Sequence, residues 1–200
     1  MVNNYVCILK KLSTYRGFFY IPIFGLLAIP FYGEWGDDVI IWTLGIGVII
    51  AGFLIRLWAT KHIGRRIPWM KKKGKILVKE GPYAIVRNPL YIGNILVVIG
   101  LAILSELAWA IPFVFVYFFT LYHLVAVYEE KKLLDRWGDE YRVYMNEVPR
   151  WIPKFKNLHL NKVSGFPWKV ALRTEVPSLL VILFGISFFF FKEILSPLMK

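Results

Sequence analysis

Read for apolar and polar positions, the chain breaks into long apolar blocks separated by short charged ones. A helix that crosses a bilayer needs roughly 20 mostly apolar residues, fewer where flanking side chains reach back to the interface. Five stretches meet that standard. The first, Phe18 to Tyr32, is short and contains Pro22 and Pro30; the second, Val39 to Ala59, is a full span with Arg56 near its end. Between Leu90 and Tyr128 the only charge is Glu106, so Ser105-Glu106 reads as the turn of a helical hairpin with arms Leu90 to Leu104 and Leu107 to Tyr128. The fifth stretch runs from Val176 to Phe191. These blocks predict an all-α integral membrane protein of about five transmembrane helices, a single membrane domain over residues 1–200.

Composition supports a bilayer as the solvent. Apolar residues make up 58% of 200 and charged ones 19%, more apolar surface than a small soluble domain can hide. The lone Cys7 excludes an intramolecular disulfide and a thiolate zinc site. A net charge of +12 would suggest nucleic acid in a soluble chain, but its placement follows the bias that orients membrane helices, so no nucleic-acid partner is expected. Lys10, Lys11 and Arg16 precede the first span, and the next loop holds Glu34, Asp37 and Asp38 without a base. Lys61 to Arg87 then carries nine bases and one acid, and Glu129 to Thr174 ten bases and six acids. The alternation puts the N-terminus and both basic segments in the cytoplasm and the C-terminus on the opposite side. Membrane lipids are the expected surroundings, with the lysines of 71–75 against anionic headgroups. A cleavable leader is disfavoured because no small-x-small site follows Tyr32.

Two segments concentrate polar and backbone-bending residues where spans begin or end. In Gly81-Pro82-Tyr83-Ala84-Ile85-Val86-Arg87-Asn88-Pro89-Leu90-Tyr91, Gly81-Pro82 makes a turn and Asn88 is the natural N-cap of a helix starting at Pro89. The free N–H groups of that helix start, with Arg87 beside them, favour a carboxylate or phosphate, although a Pro-Asn cap and an interfacial arginine also serve merely to start a span. Past the hairpin come Glu129 and Glu130, two acids at a span's end that need a cation or donors, either a ligand's or those of Arg87 or Lys132. Leu133, Leu134, Trp137, Tyr141, Tyr144 and Val148 follow at near-helical spacing, which predicts one amphipathic helix lying along the membrane surface. His62, His123 and His159 are scattered, so no metal is assigned, and neither a phosphate-binding loop nor a nucleophile signature occurs.

In order and spacing these segments resemble the membrane methyltransferase superfamily of isoprenylcysteine carboxyl methyltransferases and phospholipid methyltransferases. The likeness rests on the run from Leu77-Val78 through Gly81-Pro82-Tyr83 and Arg87-Asn88-Pro89 to Tyr91. After the hairpin it continues in Glu129-Glu130, Leu133, Gly138 to Tyr141 and Val148-Pro149-Arg150, with Arg56 and Ala59 to Gly64 ahead of the basic loop. It covers residues 52–153, a methyltransferase-like core. It implies a cytoplasmic cofactor-binding segment for S-adenosylmethionine lined by Leu77, Val78, Tyr83, Asn88, Pro89, Leu90, Tyr91 and one of Glu129 and Glu130, with Glu130 slightly favoured. Arg87 would have a positioning role, no catalytic residue is nominated, and the acceptor would be lipophilic or dissolved in the membrane: a prenylcysteine-like carboxylate, a lipid amine or a thiol.

Two departures bear on the acceptor. Asn88 stands where isoprenylcysteine enzymes resemble one another in a histidine, and it cannot titrate. Val125-Ala126-Val127 stands where they carry an arginine one turn before the acidic pair. Two other classes fit the same residues less fully: a membrane reductase using NADPH at the polar helix start, and a non-catalytic scaffold whose loops only anchor.

Overall fold

The computed structural model describes residues 2–28, 37–63, 77–156 and 166–195. Pro30, Tyr32, Glu34, Gly64, the lysines of 71–75 and His159 lie outside them, as do the last five residues. Every regular element among the described residues is helical. They are α1 (Val2–Tyr15), a 3₁₀ turn at Arg16–Phe19, α2 (Tyr20–Leu27), α3 (Asp38–Ile63), a 3₁₀ turn at Gly81–Ala84, α4 (Pro89–Leu104), α5 (Ala110–Trp137), α6 (Asp139–Glu147) and α7 (Trp168–Leu195).

Three helices, α3, α5 and α7, are long and apolar enough to cross a membrane. At 26 to 28 residues each is about 40 Å long, more than the hydrocarbon core requires. They hold the second and fifth apolar stretches whole and the fourth from Ala110 on. The stretch Leu90–Leu104 becomes α4, whose 16 residues span about 24 Å. The stretch from Phe18 is described only to Ala28, and there it is a 3₁₀ turn followed by the eight-residue α2 rather than one long helix.

The chain divides into two compact units. Unit one comprises the chain up to Ala51, Ile95–Glu129, and the chain from Leu180. Glycine lets its helices approach closely: a Cβ on Gly100 would stand 2.7 Å from the carbonyl oxygen of Gly45, so α3 and α4 meet almost backbone to backbone. Phe24 of α2 packs among Phe184, Phe188 and Phe189 of α7, with ring centroids 5.0–6.0 Å apart. The hydroxyls of Tyr20 and Tyr122 share a hydrogen bond, and Glu129 pairs with Arg16 at 3.3 Å.

The expected hairpin turn is here, with Glu106 in the left-handed region at φ 63° and Ser105 Oγ donating to Ala102 O at 2.8 Å. The second arm starts at Ala110, three residues later than its apolar run, because Leu107–Trp109 complete the turn. The turn also brings Glu106 together with Asp38 and Glu193, whose carboxylate oxygens lie within 4.8 Å of one another. No spacing in the sequence foretold that grouping, since its members come from three separate helix ends.

Unit two comprises Gly52–Asn94 and Glu130–Leu179. Here the expectation of a single surface helix after the acidic pair needs correction. Gly138, at φ 52°, ends α5 and starts α6 as a separate nine-residue helix. The apolar face of α6 does not lie on lipid: Tyr141, Tyr144 and Val148 are buried together against Leu77, Leu133, Leu134, Trp137 and Met145. The periodicity was real, but the protein itself covers the face.

Candidate functional site

Unit two is organised around the turn that leads into α4. Glu80 is extended, Gly81 adopts φ 58°, and Pro82 fixes the second position of the 3₁₀ turn. Glycine is required at 81 for two reasons: an L side chain is strained at that φ, and a Cβ would collide with the imidazole of His62. His62 is itself held by Nδ1 against Trp58 O at 2.9 Å. The turn buries Pro82, Tyr83 and Ala84.

From there the backbone is tied to the segment after α6. Arg87 N–H donates to Pro149 O at 2.9 Å, and Lys154 N–H donates to Ile85 O at 2.9 Å. Tyr144 Oη, on α6 itself, donates to Tyr83 O at 2.8 Å, a third tie to the same turn. Helix α4 begins at Pro89, as expected. Asn88 occupies the N-cap position and its carbonyl accepts from Tyr91 and Ile92 N–H, but its side-chain amide reaches the carbonyl of Arg150 at 3.5 Å instead of capping.

Three charges meet at this point. Arg150 grips Glu130 with two parallel bonds, Nε to Oε1 at 2.9 Å and Nη2 to Oε2 at 2.6 Å. Arg87 Nη1 lies 3.4 Å from the same Oε2. The side chains are 11% exposed for Arg87, 26% for Arg150 and 7% for Glu130, so two guanidiniums and one carboxylate leave a nearly buried net charge of +1. Nε of Arg87 is buried with no hydrogen-bond acceptor among the described residues, and Nη1 is ion-paired with Glu130 but not hydrogen-bonded. A largely enclosed cation with an unused donor, at a helix N-terminus, is an environment for an anion, most readily a carboxylate.

The surrounding tyrosines are neutral. Burial, and then the Glu130 carboxylate, push the Tyr141 phenol up to about 12 against the opposing pull of Arg87. Burial, followed by Tyr141 and Tyr83, raises Tyr144 further. Arg150 is held above its ordinary value by its hydrogen bonds to Glu130.

Of the residues singled out in the sequence, Arg87, Asn88 and Glu130 converge here. Tyr83, Pro89 and Tyr91 are buried in the same turn and helix start, and Leu77, Val78 and Leu90 are half-buried, Leu77 against the Tyr141–Tyr144 cluster. Glu129 belongs to unit one, where it faces Arg16. The adjacent acids therefore differ in surroundings, because successive helical residues point about 100° apart. Sequence reasoning placed Tyr141 on an apolar helix face and Arg150 in a motif of the resemblance, and gave neither a place in the site. A further signal was available in the base set in the apolar Val148-Pro149-Arg150-Trp151, a costly place for a charge unless it meets an acid.

Unit two holds a second polar cluster. Arg56 on α3 donates to Glu175 Oε2 on α7 through Nε at 3.2 Å and Nη2 at 2.6 Å, and to Ser178 Oγ at 2.7 Å. Thr60 Oγ1 donates to the other Glu175 oxygen at 2.7 Å. The stem of Arg56 crosses Gly93 of α4, where a Cβ would stand 2.6 Å from Arg56 Cγ. Charge balance and complete bonding make this cluster a clamp between helices.

The fold is a helical membrane protein with a buried, cation-rich site at the head of α4. Residues 40–140, half of the chain, match the family model described as phospholipid methyltransferase, and the chain belongs to that family. It is similar to the cobalt-zinc-cadmium resistance protein CzcN of Cupriavidus metallidurans, 29% identical over 122 residues that cover 61% of this chain and 53% of CzcN. It is also similar to the nickel-cobalt-cadmium resistance protein NccN of Alcaligenes xylosoxydans xylosoxydans, 27% identical over 154 residues, 73% of this chain and 69% of NccN. The chain thus spans about half the length of CzcN and just over two thirds of NccN. No solved structure matches it.

Proposed function

We propose that this protein is an integral membrane methyltransferase that uses S-adenosylmethionine and acts on a lipophilic or membrane-dissolved acceptor. The observation that carries the reading is the net positive cluster of Arg87, Arg150 and Glu130 at the start of α4, in a chain of the phospholipid methyltransferase family. The cofactor's amino-acid end is a zwitterion, and the cluster suits both of its charges. Arg87 Nε has no acceptor and suits the carboxylate. Glu130 suits the ammonium, with Arg150 sharing its charge. Tyr83, Tyr91 and the apolar Leu77, Val78 and Leu90 would wall the adenosine and keep water out.

S-adenosylmethionine supplies a methyl group already activated on a sulfonium, so the protein's task is alignment and exclusion of water. Arg87 and Glu130 fix one end, and the 81–84 turn fixes Tyr83 through the Tyr144 hydrogen bond. A carboxylate acceptor needs no deprotonation, whereas an amine or thiol must lose a proton. Tyr141, with its phenol near 12, can donate a hydrogen bond at neutral pH but is a poor base.

The same reading includes five spans, with the N-terminus and the basic segments cytoplasmic and the C-terminus opposite. It treats residues 1–200 as one membrane domain and 52–153 as its methyltransferase core. The test is transfer of an isotopic methyl group from S-adenosylmethionine into organic-extractable product, by protein in nanodiscs given a lipid extract. Transfer that disappears in Arg87→Gln supports the reading. A folded protein that transfers nothing yet binds NADPH supports a reductase instead, and one that binds neither supports a scaffold.

A further inference from the structure

The structure uses the apolar face of α6 internally, and this moves the question of where the α5–α7 connection meets the membrane. Among its described residues three large apolar side chains remain well exposed: Val143 at 56%, Ile152 at 80% and Phe155 at 64%. Two of these lie in Trp151-Ile152-Pro153-Lys154-Phe155-Lys156, interleaved with exposed Lys154 and Lys156. The segment is pinned, not trailing: Pro149 O and Lys154 N–H bond the backbone of Arg87 and Ile85, Arg150 is anchored on Glu130, and Pro153 stiffens the tip. A pinned segment presents the same two apolar side chains continuously, a standing cost in water.

Charge identifies what covers them. All six acids of the stretch 129–174 lie at or before Glu147, and from Val148 to Thr174 there are six bases and no acid. Apolar side chains alternating with lysines, in an acid-free stretch, match an interface that is apolar just beneath a layer of negative headgroups.

We infer that Trp151–Lys156 is an interfacial foot that docks on an anionic lipid surface, with Ile152 and Phe155 entering the upper acyl region and Lys154 and Lys156 contacting phosphates. The inference does not depend on the methyltransferase reading.

Cys7, the only cysteine, permits a clean test. In a Cys7→Ser background, Phe155→Cys, Ile152→Cys and, as an exposed reference on α6, Asn146→Cys are labelled with an environment-sensitive fluorophore. The full-length proteins are placed in phosphatidylcholine nanodiscs with or without phosphatidylglycerol. With phosphatidylglycerol present, labels at 152 and 155 should be quenched by nitroxides on the upper acyl chain and be roughly threefold less accessible to aqueous iodide than the label at 146. Each lysine strengthens attraction to such a surface about fivefold, so Lys154→Gln/Lys156→Gln should return the labels toward water in anionic nanodiscs only. Equal iodide access at 146 and 155 overturns the foot, and shielding indifferent to lipid charge and to the lysines overturns its anionic partner. Shielding seen in native membranes but absent from purified lipid would assign the surface to a protein instead.

Discussion

Replacing Glu130 with glutamine removes one charge and almost no volume, and it isolates what the carboxylate does between its two arginines. In the native site Arg150 makes two bonds to it at 2.6 and 2.9 Å and Arg87 stands 3.4 Å away. At an effective dielectric of about 20, a pair of charges about 4 Å apart attracts by about 4 kcal/mol before desolvation is counted. Loss of one partner of a buried pair typically costs about 3–5 kcal/mol. Arg150 is 26% exposed and can partly rehydrate, so about 3 kcal/mol is expected here. For a chain of this size that corresponds to a fall of about 6–12 °C in Tm.

The neighbouring acid supplies the control. Glu129 and Arg16 are 24% and 32% exposed at 3.3 Å, so Glu129→Gln should cost at most about 1 kcal/mol. Thermal unfolding in nanodiscs, followed by tryptophan fluorescence, distinguishes the two. A double-mutant cycle of Glu130→Gln with Arg150→Gln should return a coupling of about 2 kcal/mol. Equal losses in the two glutamate variants, or a coupling below about 0.5 kcal/mol, would refute the argument that Glu130 is the buried counter-ion.

Other perturbations follow from the same geometry. Gly81→Ala should destabilise unit two by about 2 kcal/mol through its φ of 58° and the collision with His62, and adding His62→Ala should restore the steric part but not the backbone part, as read by unfolding of both variants. Glu175→Gln should cost about 3 kcal/mol by stranding Arg56, and Arg56→Met in the same chain should recover most of it, also by unfolding. The folded phenol of Tyr141 titrates near 12 against an ordinary 10, so the unfolded chain gives up this proton first as pH rises. The associated stabilisation, about 2–3 kcal/mol, is therefore complete below pH 10 and lost between about pH 10 and 12; Tyr141→Phe should flatten that part of the alkaline unfolding profile.

Three of the hydrophobic blocks became the long apolar helices that lipid demands and a fourth the shorter α4, and the turn at Ser105-Glu106 stood out as the one polar break in a 39-residue run. The start of α4 was equally legible, since Pro89 after Asn88 allows few other conformations. Side-chain destinations were harder to read. A 3.6-residue period says that a face is apolar, not what covers it, and for Tyr141, Tyr144 and Val148 the cover is Leu77 and the end of α5. The break at Gly138 was hidden because a glycine inside a helical pattern is often tolerated. Arg150 and Glu130 are twenty residues apart, and Arg56 and Glu175 more than a hundred, so only the fold reveals those pairs. The different surroundings of Glu129 and Glu130 follow from helix phase, which a sequence fixes only once the helix's neighbours are known.

Whether the head of α4 holds the cofactor is decided by calorimetric titration of S-adenosylmethionine and S-adenosylhomocysteine into the protein in detergent and in nanodiscs, with Arg87→Gln alongside. Both should bind saturably, and Arg87→Gln should weaken binding by about tenfold or more, the loss of one charge-assisted contact to a carboxylate. Absence of binding by folded wild-type protein in both settings, or unchanged affinity in Arg87→Gln, would contradict a cofactor site at the head of α4.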